Sequence, residues 1–300
     1  MSHRKQHWIP QSYLSAWCDP DKPENHEPYV WKFSKDGRTA KHKAPKNIFW
    51  GNNMYTIHRG NGKRDLTLEH GLQGLEDFFA RLHRNKLRNR IELAPEEKVL
   101  LLLFVAAMKV RTTSQRDHMQ SQWGDALKKM DSLAEQISEM TNEEKAKFAT
   151  MQPLSSSSSS ESLSHRQVRN LATKPLQHTM FTMIMKQTDL FSQMYMAIIG
   201  ANISPGFITS DSPCVWFDPE GYKRPRFYRS VGLANKKVEV TLPVFPEQAI
   251  LISWNKKYDG YIELNSEQFV EDLNNRTWFQ CKEHFIVNKN IKKDIWFDPF

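Results

Sequence analysis

The 300 residues of this chain are 39% hydrophobic and 11% aromatic, which is enough for one domain with a large core. The formal net charge of +8 favours anionic partners, although the 42 lysines and arginines are spread along the chain and form no single basic block. Three widely spaced cysteines indicate neither a disulfide framework nor a cysteine zinc site, and no apolar run is long enough to span a membrane, so we expect a cytoplasmic protein.

The first quarter of the chain predicts a small β structure. Aromatic and β-branched residues at 29–33 and a short run at 39–41 flank Asp36 and Gly37, and an Asp-Gly pair between such runs is a hairpin signal. Before the hairpin, His7 precedes a short apolar helix or turn. Two roles stay open for His7: it caps a packed aromatic cluster, or it transfers a proton in a functional site.

An amphipathic helix is predicted to begin near residue 66. Its apolar side chains recur at helical spacing within one narrow arc that faces a core: Leu68, Leu72, Leu75, Phe79 and Leu82. Glu69 and Glu76 lie at one edge of that arc, roughly 10 Å apart along the axis, so they cannot easily bind one metal ion without further ligands. Alternatively, both are solvated or pair with Arg81 or Arg111.

A second helix is predicted from Pro95, and residues 99–108 have no polar face, which predicts a central helix buried on all sides. We expect this helix to continue through Arg111 and Arg116. Because Arg111 follows a buried run, its charge needs a partner. That partner is either a structural carboxylate such as Glu69 or Glu76, or the phosphate or carboxylate of a ligand.

The middle of the chain is polar. Residues 125–150 are highly charged with apolar residues at loose helical spacing, and six consecutive serines follow at 155–160. Such a composition cannot bury a core. We therefore predict one domain over residues 1–300 with a polar helical excursion and a flexible Ser-rich loop at about 125–165; the alternative is a domain boundary near residue 155.

The last third predicts helices and an antiparallel sheet. A methionine-rich helix is expected at 176–199, two strands at 238–244 and 249–254, and a helix containing Asn274 at 268–285. Residues 206–213 predict a strand running into a tight turn, where Asp211 is either a functional carboxylate or a turn former. The predicted class is α+β: a largely helical core with a buried central helix, a small N-terminal β hairpin and a C-terminal antiparallel sheet.

Several motifs resemble those of the bacterial family known as domain of unknown function 4238. The similar features are His-x-x-Pro-x-x-Tyr-Leu at residues 7–14, the spaced Glu69 and Glu76, Arg111-Thr112 followed by Arg116, Ser-Asp-x-Pro at residues 210–213, and Asn274. A Pro-Leu-Ser-Pro-like strand end corresponds to residues 242–246 with a different order. The resemblance covers most of the chain apart from the Ser-rich excursion, and it implies that these distant polar positions share one pocket; the family carries no settled activity.

These observations favour a hydrolase that acts on a phosphate-containing substrate, with a metal-dependent nuclease as the specific form. Each candidate residue has one expected role: His7 is the acid or base, Glu69, Glu76 and Asp211 are catalytic and bind Mg²⁺ or Mn²⁺, and Arg111, Arg116 and Asn274 bind the substrate.

Two alternatives belong to other functional classes. One is a non-enzymatic module that binds nucleic acid or a protein through its basic and aromatic surface. The other is a buried network of acids and arginines that only specifies the fold. The sequence contains no Gly-rich phosphate loop, HExxH or Gly-x-Ser-x-Gly motif, which argues against several common enzyme classes.

Overall fold

A computed structural model describes residues 4–59, 62–150, 163–223, 232–264 and 266–297. The fold is α+β, as predicted. Its helices are α1 (Gln11–Leu14), α2 (Thr67–Leu82), α3 (Pro95–Val110), α4 (Thr113–Glu139), α5 (Asn142–Thr150), α6 (His165–Thr173), α7 (Pro175–Phe191) and α8 (Glu267–Gln280). Its strands are β1 (Lys5–His7), β2 (Val30–Ser34), β3 (Ala40–Lys43), β4 (Trp50–Asn52), β5 (Ile57–His58), β6 (Arg64–Asp65), β7 (Tyr195–Gly200), β8 (Thr209–Ser210), β9 (Val215–Phe217), β10 (Glu239–Phe245), β11 (Gln248–Ser253), β12 (Gly260–Glu263) and β13 (His284–Val287).

Helices α2 and α3 carry the main core. The apolar arc of α2 faces inward, and its Phe79 ring stacks on Phe104 of α3 with the ring centroids 3.9 Å apart. The predicted central helix is confirmed from Leu101 onward, where most side chains are fully buried. Burial on all sides was wrong for the start of the run, because Val99 and Leu100 are 50% and 37% exposed. Hydrophobicity alone does not reveal which turns of an apolar helix have a packing partner.

The predicted continuation of this helix through Arg116 was wrong. Helix α3 ends at Val110, and Thr112 adopts an extended backbone with ψ of 155° before α4 begins. Its hydroxyl accepts a hydrogen bond from the Gln115 amide at 3.2 Å, which caps the new helix. Arg111 and Arg116 therefore belong to different helices.

Two sheets join distant parts of the chain. The C-terminal sheet has the strand order β12-β7-β11-β10-β9 and is antiparallel except for the parallel pair β12 and β7. The predicted N-terminal hairpin is confirmed as β2 and β3, and it continues into the order β3-β2-β13-β8. Separately, β1 pairs with β4, placing His7 opposite Trp50. The N-terminal strands therefore pair both with a strand near them in sequence, β4, and with a strand near the end of the chain, β13.

Two predicted helices were too long. The methionine-rich helix ends at Phe191, and β7 follows it, because Ile198 and Ile199 pair with Ile250 and Ala249 of β11. Likewise, α8 ends at Gln280 and is followed by β13. In both places long-range strand pairing overrides the local helical pattern.

The polar excursion forms α4 and α5, after which α6 packs on α4 and α7. The predicted Ser-rich loop lies outside the described residues, and the single-domain prediction stays a prediction. None of the helices in the described ranges combines the length and the apolar character needed to cross a membrane.

Candidate functional site

Arg111 is the centre of a buried polar cluster. Its side chain is only 3% exposed; Nη1 donates to Glu76 Oε1 at 2.7 Å, and Nη2 donates to the backbone carbonyl of His7 at 2.6 Å. The hydroxyl of Tyr55 donates to the Arg111 carbonyl at 2.9 Å, and the guanidinium lies 5.7 Å from the Tyr55 ring. Of the two partners considered for Arg111, the structure shows the internal carboxylate, Glu76.

The electrostatics of the cluster follow from this pairing. Burial is the largest single effect and disfavours the charge of Arg111, but the interactions with Glu76 and Tyr55 together raise the pKa of the guanidinium above its usual range. Burial also raises the pKa of Tyr55 to about 12. The guanidinium is therefore permanently charged, and removing its carboxylate partner would leave a buried charge uncompensated.

Glu69 and His7 are the groups of this cluster with acid or base character. Burial raises the pKa of Glu69, partly offset by Arg111, and no described residue hydrogen-bonds or pairs with its carboxylate. Burial lowers the pKa of His7 to about 4, so the imidazole is neutral at pH 7; its Nε2 donates to the Lys46 carbonyl at 3.3 Å and Nδ1 accepts from Gln11 at 3.4 Å. The structure thus brings His7, Glu69, Glu76 and Arg111 together.

The side-chain carboxylate of Asp211 binds backbone amides at the start of β13. Its Oδ1 accepts from the amide of Lys282 at 2.8 Å, and its Oδ2 accepts from those of Glu283 and His284 at 2.8 and 2.9 Å. Burial raises the pKa of Asp211 although these three amides stabilise the carboxylate. The side chain bonds to amides, as a turn former does, but the amides belong to the distant β13 segment.

Asn274 does not fit the predicted role in substrate binding. It is fully buried; its Oδ1 accepts from the Ile208 amide at 2.9 Å, and its Nδ2 donates to the Gly206 carbonyl at 2.9 Å. Both ends of the amide are therefore used within the fold. Asn274 fastens the loop that leads into β8 to helix α8.

The predicted metal ligands do not form a metal site in this arrangement. Both carboxylate oxygens of Asp211 accept hydrogen bonds from backbone amides, and Glu76 pairs with Arg111. Of the three predicted ligands, Glu69 is the one whose carboxylate has no hydrogen-bond or ion-pair partner among the described residues. Among the residues that the structure describes, no three His, Cys, Asp or Glu side chains are placed to hold a metal ion. Binding of Mg²⁺ or Mn²⁺ stays a prediction, and no chemical step is assigned to it.

Two cavities lie beside the start of α4, and we call them together the α4 groove. One, of about 360 Å³, is lined by Arg116 and Asp211 together with Trp8, and the other, of about 260 Å³, is lined by Thr112 and Ser212. Segments of three motifs from the sequence therefore meet here: the one that begins at His7, the arginine motif and the Ser-Asp-x-Pro motif.

The larger cavity contains groups suited to an anion. Lys32 lies on its wall without a carboxylate partner within the described ranges, and burial lowers the pKa of its ammonium. The indole Nε1 of Trp8 is buried and lacks a hydrogen-bond acceptor there. Arg116 pairs with Asp117 at 2.7 Å, and Asp117 also pairs with Lys282. The first turn of α4 adds the positive end of a helix dipole.

The smaller cavity contains a lysine at the end of an apolar helix. Burial lowers the pKa of Lys109, whose ammonium lies 5.0 Å from the Trp216 ring. Ser212 in the same cavity has a buried hydroxyl that lacks a partner in the described structure. Sequence reasoning missed Lys109, although a lone lysine at the end of an apolar run was a usable signal. It also missed Lys32 and Trp8, of which only Trp8 lies within a motif, at residues 7–14.

Comparison with known proteins places the chain in one family. The profile of the family described as "Protein of unknown function (DUF4238)" matches residues 5–291. A search of the curated proteins and a search of the solved structures gave no match.

Proposed function

Because this chain belongs to the DUF4238 family, whose description names no activity, we propose its function from the site: the protein binds a single-stranded nucleic acid, with a phosphate held in the α4 groove. One observation carries the proposal. Motif segments that are distant in sequence meet at the start of α4 beside two donor groups, the ammonium of Lys32 and the indole N–H of Trp8, which have no hydrogen-bond or ion-pair partner among the described residues.

The charge of the groove supports an anionic ligand. No described carboxylate lies within 4 Å of the Lys32 ammonium, which Glu283 and Asp211 stabilise only from a longer distance, whereas Arg116 has a close partner in Asp117. A phosphate at the N-terminal end of α4 would accept from the Lys32 ammonium and from free amides of the first helical turn. The net charge of +8 adds a favourable long-range field for a polyanion.

The aromatic residues support a nucleic-acid strand over an isolated anion. Trp8 and Trp50 line the same cavity, Trp50 is 38% exposed, and the ammonium of Lys5 lies 4.6 Å from its ring. Stacking of bases on exposed aromatic rings together with basic side chains is how single strands are held without sequence selection. A duplex keeps its bases stacked inside and offers no such contact.

Hydrolysis of the bound strand is the second candidate function. Glu69 lines neither cavity of the α4 groove, but it belongs to the Arg111 cluster, which adjoins Thr112 at the groove. A half-buried carboxylate with a raised pKa and no hydrogen-bond or ion-pair partner among the described residues is suited to proton transfer. Glu76 is a poor test of this function, since its loss leaves Arg111 uncompensated and destabilises the fold. Glu69→Gln keeps the shape of the side chain and removes only the ionisable group.

The binding test is fluorescence anisotropy with a labelled 12-nucleotide single strand, of DNA and of RNA, at 50 and 200 mM KCl. We expect tighter binding of single strands than of the matching duplex. Lys32→Ala should weaken binding and lower the slope of log K against log salt by about one, since one phosphate contact is lost. Lys256→Ala, which removes an exposed lysine that does not line this cavity, is the matched control.

Equal losses for Lys32→Ala and Lys256→Ala would show diffuse attraction by net charge and refute the groove. A Trp50→Ala variant that retains full affinity would refute base stacking. Cleavage is measured on the same strands with and without added Mg²⁺ or Mn²⁺. Hydrolysis that Glu69→Gln abolishes while binding persists would establish the second function, and intact strands under all conditions would leave binding alone.

A further inference from the structure

A second cavity lies away from the α4 groove, between the end of α2 and the β10–β11 turn. Its volume is about 390 Å³, and it adjoins a cavity of about 330 Å³ with which it shares Arg88, Phe245 and Glu247. Among the described residues, none that lines these two cavities also lines the α4 groove. We call the pair the α2 cavity.

The wall of the α2 cavity contains polar atoms without partners. The Oδ1 of Asn288, the Oε1 of Gln248 and the Nε2 of His83 are buried and have no hydrogen-bond partner in the described parts of the chain. Asn288 and Gln248 are 8% and 6% exposed, so solvent reaches them poorly. A buried polar atom costs free energy unless it is paired, and two carbonyl acceptors call for a ligand with O–H or N–H donors.

Arginines at the rim of the α2 cavity add positively charged hydrogen-bond donors to these acceptors. The chain leaves α2 through a π-helical turn, His83–Leu87, a geometry that is frequent at functional sites. This turn presents Arg84, and Arg88 follows it; neither has a carboxylate within 4 Å in the described structure. Arg90, in the adjoining cavity, is paired with Glu263 at 2.9 Å. Glu247 also lines both cavities and interacts with Arg88 over a longer distance, whereas Arg84 has no such carboxylate among the described residues. Two guanidinium groups without a close ion pair favour a phosphate, which they can bind bidentately.

Aromatic rings form the third feature of the cavity. The guanidinium of Arg88 lies 5.0 Å from the Phe245 ring, and His83 lies between Phe245 and Phe79 with ring centroids 5.3 and 5.8 Å away. Burial lowers the pKa of His83 to about 4, so at pH 7 the imidazole is neutral and can accept or donate one hydrogen bond. A planar base fits such a wall better than an aliphatic group does.

We infer that the α2 cavity binds a mononucleotide. The phosphate would pair with Arg84 and Arg88, the ribose hydroxyls or base amino groups would donate to Asn288 and Gln248, and the base would lie against Phe245. The volume is within the range of small-molecule pockets, about 300–1,000 Å³. This site is separate from the α4 groove, because the two have no described lining residue in common.

The test is isothermal titration of the full chain with AMP, GMP, CMP and UMP, and separately with inorganic phosphate and adenosine. We expect at least one mononucleotide to bind more tightly than either of its parts. Arg88→Ala should weaken this binding about tenfold, equivalent to about 1.4 kcal/mol. Arg166→Ala removes an exposed arginine that does not line the cavity and should leave binding unchanged.

Three results would overturn the inference. The first is no binding of any of the four mononucleotides up to about 1 mM, which corresponds to less than about 4 kcal/mol of binding free energy. The second is inorganic phosphate binding as tightly as the mononucleotides, which would indicate a simple anion site. The third is loss of mononucleotide binding in Lys32→Ala with retention in Arg88→Ala, which would place the ligand in the α4 groove.

Discussion

The ion pair between Arg111 and Glu76 provides the sharpest test of how this fold is held together. The Arg111 side chain is 3% exposed in the native protein, and in Glu76→Ala its guanidinium would keep only the His7 carbonyl as a protein acceptor. Removing one partner of a buried pair costs about 3–5 kcal/mol. Because the Glu76 side chain is 22% exposed, water can reach the vacated space, and we expect a loss near the lower end, about 3 kcal/mol.

The reverse substitution acts differently. Arg111→Met removes the charge, and the remaining Glu76 carboxylate can be hydrated, but the part-buried His7 carbonyl loses its donor. An unsatisfied buried acceptor costs about 1–3 kcal/mol, and for this part-buried carbonyl we expect the lower end, about 1 kcal/mol. In the double variant no buried guanidinium is left uncompensated, so the combined loss should be smaller than the sum of the two single losses by at least about 1 kcal/mol.

Urea unfolding followed by tryptophan fluorescence and by circular dichroism measures each free energy of unfolding. Asp125→Ala, which breaks the exposed Lys128 pair at 3.6 Å, is the control and should change stability by no more than about 0.5 kcal/mol. Additive losses in the double variant, or a Glu76→Ala loss as small as that of the control, would refute the account of Arg111 as a buried charge that depends on Glu76.

Three further predictions concern other parts of the fold. Gly206→Ala should destabilise the protein by more than about 2 kcal/mol in urea unfolding, because a Cβ there would lie 2.1 Å from the Pro246 carbonyl oxygen at a φ of +86°. Tyr13→Phe should cost about 1–3 kcal/mol, because the buried hydroxyl donates to the Pro243 carbonyl at 2.6 Å; an unchanged urea midpoint would contradict this. His83 has its pKa lowered to about 4 by burial, so the unfolded chain takes up its proton near pH 6.5 and the folded chain near pH 4. Stability should therefore fall between pH 6.5 and 4 by up to about 3 kcal/mol at this site, and His83→Gln should reduce the decline in urea midpoints measured across that range.

The helices that sequence reasoning found are those with local signals. Pro95 begins α3 as predicted, and the Glu97 side chain accepts from the Ala94 amide at 2.7 Å in the first turn. The arc of α2 was visible because Leu72 and Phe79 repeat at helical spacing on a single face. In both cases the residues that decide the structure lie within two turns of each other.

The segments that were wrong depend on distant partners. Ile198 belongs to β7 because it pairs with Ile250, and Phe285 belongs to β13 because it pairs with Phe33 and Ser210. Periodicity within a short window contains no information about such partners. The unpredicted strand β1 has the same origin, since it exists only through its pairing with β4.

The candidate site likewise contains contacts that the sequence could predict and contacts that it could not. Charge arguments predicted that the buried Arg111 needs a negatively charged partner, either an internal carboxylate or a ligand, because a buried guanidinium must be compensated. The structure shows the internal carboxylate, Glu76. They could not show that Asp211 and Asn274 bond to backbone groups, since a polar side chain in a sequence does not reveal whether it meets a ligand or an amide. Lys32 carried no signal, because an alternating lysine in a hairpin strand is usually solvated.

The polar motif residues and the groups free to bind a ligand are largely different residues. Arg111, Asp211 and Asn274 each bond to backbone that is distant in sequence, and each holds a segment beside the α4 groove or the core. Lys32 and the indole of Trp8, which have no hydrogen-bond or ion-pair partner in the part of the chain that the structure describes, lie next to segments that these bonds position. It follows that replacing a motif residue should disturb ligand binding through the fold, with loss of stability, whereas replacing Lys32 should reduce binding while the free energy of unfolding stays nearly constant. Measuring both quantities on the same variants therefore separates residues that build the site from residues that contact the ligand.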